Sequence, residues 1–191
     1  MDKQLQVIKA DGTTEEYLHT KVIGTINNAL SAAGRPDITM AEDLAEVVTY
    51  YLYRRPEQRQ VSSNEILAMI KAVLVSTGYE AAALALGEHV LDRRLKRTRT
   101  EVLALDVQSF HDVEDLSRST PQRMPWDKTR IVNDLTVESG MPRQTARAVA
   151  AQVEERIFKM GMSQVPRSLI KQLVLGEAAA MLRAQKELHT L

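Results

Sequence analysis

The chain has no cysteine among its 191 residues. That excludes disulfides, thiol chemistry and any zinc site built on thiolates. It also lacks an excess of either charge, with Lys and Arg totalling 25 and Asp and Glu totalling 25. This balance argues against a general polyanion binder, which needs clustered surplus positive charge, so nucleic acid is not an expected partner. No apolar run approaches the roughly 18 residues of a membrane span, and the N-terminus lacks the apolar core of a signal peptide. A soluble, cytoplasmic protein without a membrane partner is expected. Catalytic patterns are missing too. There is no Gly-x-x-x-x-Gly-Lys-Ser/Thr run, and His19, His89, His111 and His189 make up no recognisable metal-binding motif. Ser62-Ser63 suits a helix cap better than a nucleophile. Neither an enzyme nor a metal site is expected.

What is present begins at Leu5-Gln6-Val7-Ile8-Lys9-Ala10-Asp11-Gly12-Thr13-Thr14-Glu15-Glu16-Tyr17. Two alternating runs flank an Asp-Gly pair, the strongest short-range signal for a β-hairpin. Lys9 sits beside the turn, and Lys21 falls in the first turn of the helix that follows. Two ammonium groups placed there can converge on a small anion, helped by the backbone N–H groups of the helix start.

The remainder reads as helices. Thr20 is positioned to cap a helix through about Ala33, with Val22, Ile26 and Leu30 on one face and Gly34-Arg35-Pro36 as its stop. Thr39 is the expected start of a second, with Leu44, Val47, Val48, Tyr51 and Leu52 on one face. Ser62 or Ser63 caps a third, carrying Ile66, Ile70, Val73 and Leu74 to Gly78. A fourth, Ala-rich helix runs from about Tyr79 to the Arg97 region. The expected fold class is mainly α: an N-terminal β-hairpin lid on a four-helix bundle, followed by a second, smaller helical unit.

Residues 3–98 resemble the ATP-cone, the nucleotide-binding regulatory domain of many ribonucleotide reductases and of the bacterial repressor of their genes. The family's opening motif, V-x-K-R-D/N-G followed by an acidic residue, an aromatic or apolar residue and K-I/V at a helix start, is matched by Val7, Lys9, Asp11, Gly12, Glu15, Tyr17 and Lys21-Val22. Its later element, an apolar residue, Ser/Thr and an acidic-Ile pair opening a helix, is matched by Val61-Ser62-Ser63-Asn64-Glu65-Ile66. Its final helix ending in basic residues is matched by Tyr79 to Arg97. Two positions depart from the pattern. Ala10 stands where the family usually has an arginine on the phosphates, and Leu67 where some members place a polar base contact. The repressor relatives also carry a Cys-rich zinc ribbon, which a chain without cysteine cannot build.

The resemblance implies an ATP or dATP ligand, with or without magnesium. Lys9, Lys21, Arg93 and Arg94 would neutralise phosphate charge near the Gly12 turn. Val7, Ile8, Glu15, Leu18 and Ser63 would shape the base and ribose pocket, Glu15 accepting from a ribose hydroxyl or the adenine amino group. The expected function is a noncatalytic regulatory module that switches self-association or the binding of a protein partner such as a ribonucleotide reductase, or acts on its expression. The alternative is a helical protein-interaction or DNA-associated module whose nucleotide site has decayed, favoured by Ala10 and Leu67.

Domain organisation follows from composition. Residues 1–105 form the ATP-cone-like domain. Residues 106–125, polar and holding Ser117, Ser119, Pro121 and Pro125, read as a linker. Beyond it the chain echoes itself over 126–188. Trp126-x-x-x-Arg130-Ile131-x-x-x-Leu135 follows Tyr17-x-x-x-Lys21-Val22-x-x-x-Ile26, and Val165-Pro166-Arg167-Ser168-Leu169-Ile170 follows Val61 to Ile66. Residues 126–191 are thus expected to be a degenerate cone-like helical domain without a nucleotide site, because no strand-Lys-x-Asp-Gly hairpin precedes Trp126. Trp126 reads as a core or helix-entry aromatic, and Arg130, Arg143, Arg147, Arg167 and Lys171 as solvated helix faces.

Overall fold

A computed structural model describes residues 4–10, 12–54, 60–104 and 122–189. Asp11 and the stretch 105–121, with His111, Ser117, Ser119 and Pro121, lie outside the described residues. The protein is mainly helical with small sheets, and it divides into two compact units, Met1–Asp92 and Arg93–Leu191.

The first unit opens on the expected hairpin, with β1 (Gln6–Ile8) antiparallel to β2 (Thr14–Glu16). The Lys9 N–H donates to the Thr13 carbonyl at 2.8 Å and the Gly12 N–H to the Lys9 carbonyl at 3.0 Å. Gly12 closes this turn at φ +77, a conformation that costs a side-chain-bearing residue more than glycine. The first helix, α1 (His19–Ala32), buries Val22, Ile26 and Leu30 as the periodicity requires. Its start differs from expectation: Thr20 lies inside the helix, and Leu18 occupies the cap position with no side-chain cap bond.

The second helix, α2 (Ile38–Tyr53), is capped by Asp37, not Thr39, the Asp37 carboxylate accepting from the Met40 N–H at 3.0 Å. A carboxylate just ahead of the helix is among the strongest of caps, and it fixes the start upstream of the threonine. The buried stripe runs through Ala41, Leu44, Ala45, Val48 and Leu52, while Val47 and Tyr51 are exposed. Two alanines complete the helical period toward the core, which turns Val47 and Tyr51 off that face.

A third strand, β3 (Gln60–Ser62), pairs parallel with β1, so the sheet order is β2-β1-β3. Ser62 then caps α3 (Ser63–Ser76) through a capping box, accepting from the Glu65 N–H at 3.1 Å while Glu65 accepts from the Ser62 N–H at 2.8 Å. The fourth helix, α4 (Glu80–Arg99), adds Ala82, Ala83 and Leu86 to the core that Val7, Ile26, Leu30, Val48, Val61 and Leu74 build. The division between units falls within α4 and not at residue 105.

The second unit contains what its sequence concealed. Gln122–Pro125, expected as part of an irregular connection, is a strand, β5, antiparallel to β4 (Glu101–Ala104). Helices α5 (Lys128–Glu138) and α6 (Arg143–Met160) follow, then β6 (Gln164–Pro166) and α7 (Arg167–His189). Strand β6 pairs parallel with β4, giving the order β5-β4-β6. Strand, strand, helix, helix, strand and helix therefore occur in the same succession in both units. The hairpin ahead of Trp126 exists, but its strands are separated by 105–121, and the turn chemistry that reveals a hairpin operates over a few residues.

The two registers align the units residue by residue. Val7 pairs with Glu15 and Val61, and Val102 pairs with Met124 and Val165. The Tyr17 N–H donates to the Leu5 carbonyl at 2.8 Å, and the Trp126 N–H to the Thr100 carbonyl at 3.0 Å. On α6, Ala146, Val149, Ala150, Val153 and Ile157 are buried at the spacing of Ala41, Leu44, Ala45, Val48 and Leu52 on α2.

Candidate functional site

In a strand, residues two apart share a face, and so do partners directly opposite in a ladder. Val7, Lys9 and Glu15 consequently belong to one face of the first sheet, and Val7 is buried in the core. Lys9 forms an ion pair with Glu15 Oε1, and Lys21, in the first turn of α1, donates to Glu15 Oε2 at 3.1 Å. One carboxylate thus gathers the two ammonium groups that the sequence brought to notice. Burial by itself raises the Glu15 carboxyl, but the hydrogen bonds and charges of Lys9 and Lys21 outweigh it and leave the group below its ordinary value.

Beside this cluster lies a cavity of about 170 Å³ lined by Val7, Lys9, Glu15, Glu16, Tyr17, Leu18, Lys21, Val22, Thr25, Ser63, Ile66, Leu67 and Ile70. Its lining divides between aliphatic side chains and the charged Lys9, Glu15, Glu16 and Lys21. The first two turns of α3 supply Ser63, Ile66, Leu67 and Ile70. The approach of α1 to the hairpin is held by Thr49 of α2. Its hydroxyl donates to the Ala45 carbonyl at 2.8 Å and, its one proton spent, accepts from the Tyr17 hydroxyl at 2.7 Å and His19 Nδ1 at 2.8 Å.

Of the residues the resemblance singled out, Val7, Lys9, Glu15, Leu18, Lys21 and Ser63 line this cavity. Ile8, Gly12, Arg93 and Arg94 are not among its lining residues. Strand alternation turns Ile8 to the opposite face from Val7 and Lys9. Gly12 shapes the turn, Arg93 is committed to Glu154 in the second unit, and Arg94 is exposed. Leu67, the departure from the family pattern, contributes to the apolar wall.

The corresponding places in the second unit hold different chemistry. Ala104 stands for Lys9, Met124 for Glu15 and Arg130 for Lys21, with Arg130 Nη1 3.0 Å from the Met124 sulfur. Arg167 and Lys171 stand for Ser63 and Leu67. The place of Glu15 holds no carboxylate, and the ion pair on these two strands is instead Glu101 with Arg123 at 3.7 Å.

A carboxylate occurs instead on α6. Glu154, wholly buried, takes the place of Thr49, as Trp126 takes that of Tyr17. Arg97 grips Glu154 with both arms of its fork, Nε to Oε1 at 2.7 Å and Nη2 to Oε2 at 2.9 Å. Arg93 Nη2 adds a bond at 2.6 Å and Trp126 Nε1 another at 3.1 Å. Lys128 Nζ stands 3.6 Å away. Burial would raise the Glu154 carboxyl, yet the Arg97 hydrogen bonds, the Lys128 and Arg97 charges and the Trp126 N–H hold it at about 2. Periodicity could have exposed this residue: it sits in the buried stripe of α6 beside Val153 and Ile157, where a carboxylate survives only if paired.

Among the described residues no group of three or more His, Asp or Glu is placed to hold a metal ion, and no helix is long and apolar enough to cross a membrane. No family model matches the chain, and no curated protein matches it.

Proposed function

We propose that the first unit is a noncatalytic regulatory module that binds ATP or dATP at the hairpin. The observation that carries this is the convergence of Lys9 and Lys21 on Glu15 at the edge of an apolar cavity. A nucleotide has the same division of character. Its base suits the wall of Val7, Leu18, Val22, Ile66 and Ile70, and its phosphates suit two ammonium groups near a helix start. Magnesium would travel with the phosphates. Glu15, released from the lysines, would accept from a ribose hydroxyl or the adenine amino group.

Binding that favours one of two helix arrangements would then bias self-association or the docking of a partner, for which a ribonucleotide reductase is the candidate by resemblance. Titration calorimetry of the full chain with ATP and with dATP tests this. Saturable binding of either is expected, and heat of dilution alone at millimolar nucleotide would overturn it.

A second reading has its own support. The cavity is smaller than the several hundred Å³ usual for ligand pockets, Leu67 lines it, and Glu15 already neutralises one of the two lysines. On that reading the unit is a helical interaction module with a decayed site, and calorimetry on Lys9→Ala and Lys21→Ala, whose affinity would then match that of the unaltered chain, decides between the two.

A further inference from the structure

The Glu154 cluster carries more positive charge than its carboxylate can use. A carboxylate offers about four acceptor positions, and Arg97 takes two, Arg93 one and Trp126 one. Lys128 is left at 3.6 Å, longer than an ordinary N–H···O bond. Three cations against one carboxylate leave two positive charges over. All three cationic side chains keep about a third or more of their surface open, at 33% for Arg93, 45% for Arg97 and 32% for Lys128, whereas Glu154 has none. The surplus therefore faces outward.

Hydrogen bonding to Glu154 accounts for Arg97, Arg93 and Trp126, whereas Lys128 meets the carboxylate only as an ion pair at 3.6 Å, beside two guanidinium groups. That position is costly for the ammonium. Burial lowers its proton affinity, and Arg97 and Arg93 add to this against the pull of Glu154.

We propose that Lys128, Arg93 and Arg97 form a second anion site, confined to the second unit, that takes a phosphate dianion. Two surplus charges match the two of hydrogen phosphate or of a terminal phosphomonoester. Lys128 has N–H donors beyond its ion pair with Glu154, and each guanidinium has N–H groups beyond those spent on the same carboxylate. This site shares no residue with the Lys9–Glu15–Lys21 cluster and does not depend on the nucleotide reading.

The test uses the full chain with Lys9→Ala and Lys21→Ala, which silences the first cluster. It is titrated with inorganic phosphate and, separately, with glycerol phosphate. Binding of both assigns the phosphate group itself, and binding of inorganic phosphate alone assigns the free ion. Lys128→Ala should weaken binding at least fivefold while the far-UV dichroism stays unchanged, since Lys128 makes none of the four bonds to Glu154. With Lys128 retained, phosphate should also raise the titration of its ammonium followed by NMR. Failure of inorganic phosphate to bind, affinity unaltered by Lys128→Ala, or an ammonium titration that phosphate does not move would each overturn the site.

Discussion

Residues 49 and 154 occupy the same place on the second helix of their units, yet one is threonine and the other a buried glutamate. In the first unit the threonine hydroxyl settles Tyr17 and His19, and the largely covered Glu15 carboxylate sits on the hairpin between two lysines. In the second unit the carboxylate has moved inside, and the cations follow it. One succession of strands and helices accommodates either a charged rim beside an apolar cavity or an internal ion cluster. The backbone order sets which positions face one another, and the residues at three or four of them decide whether charge gathers beside a cavity or inside the core.

The largest effect separating the units should come from the internal cluster. Arg97→Ala removes the bidentate partner of a carboxylate with no exposure and should cost about 3 kcal/mol. Thr49→Val removes neutral hydrogen bonds at the equivalent place and should cost about 1 kcal/mol. Denaturant unfolding of the full chain measures both. Similar losses for the two variants would break the comparison.

Acid should separate the units in the same order. Glu154 titrates at about 2 in the folded chain, against an ordinary carboxyl value of 4.5. A depressed carboxyl stabilises the fold fully above its unfolded value and loses that contribution as pH falls through the folded one. Between about pH 4.5 and 2 the second unit should lose roughly 3 kcal/mol. Glu15 is depressed in the same direction and should act in the first unit with the same sign. Glu154→Gln should flatten the acid limb, and an unaltered limb would contradict the assignment.

Nucleotide affinity sharpens the comparison from the other side. Each charge-assisted hydrogen bond to phosphate contributes about 1.5–3 kcal/mol, so Lys9→Ala and Lys21→Ala should each weaken ATP or dATP binding roughly tenfold or more. Arg130→Ala, at the place of Lys21 in the second unit, should leave it unchanged. A smaller effect concerns the third strand. Ser62→Ala removes the capping box and should cost about 1 kcal/mol, while Pro166, its counterpart, has no hydroxyl to lose.

These contrasts also mark what the sequence could disclose. The first hairpin was legible because Asp11-Gly12 lies in a short turn, and the third helix because Ser62 and Glu65 stand at capping-box spacing. The echo of Tyr17 in Trp126 and of Val61 in Val165 pointed to the repeat, since apolar spacing survives when chemistry does not. The β4–β5 hairpin stayed hidden because 105–121 divides it. Ile8 was grouped with Val7 although adjacent strand residues face opposite ways. The tie between Arg93 and Glu154 stayed out of reach because the two lie far apart along the chain and no local pattern links them.

On the proposed function, nucleotide binding is confined to the hairpin of the first unit, because Ala104, Met124, Arg167 and Lys171 replace its residues in the second. Amide chemical-shift mapping of the full chain during an ATP titration tests it most directly. Saturable shifts are expected at Lys9, Glu15, Lys21, Ser63 and Leu67, with Ala104, Met124, Arg167 and Lys171 still. Shifts of similar size at both sets, or none at the first, would contradict it.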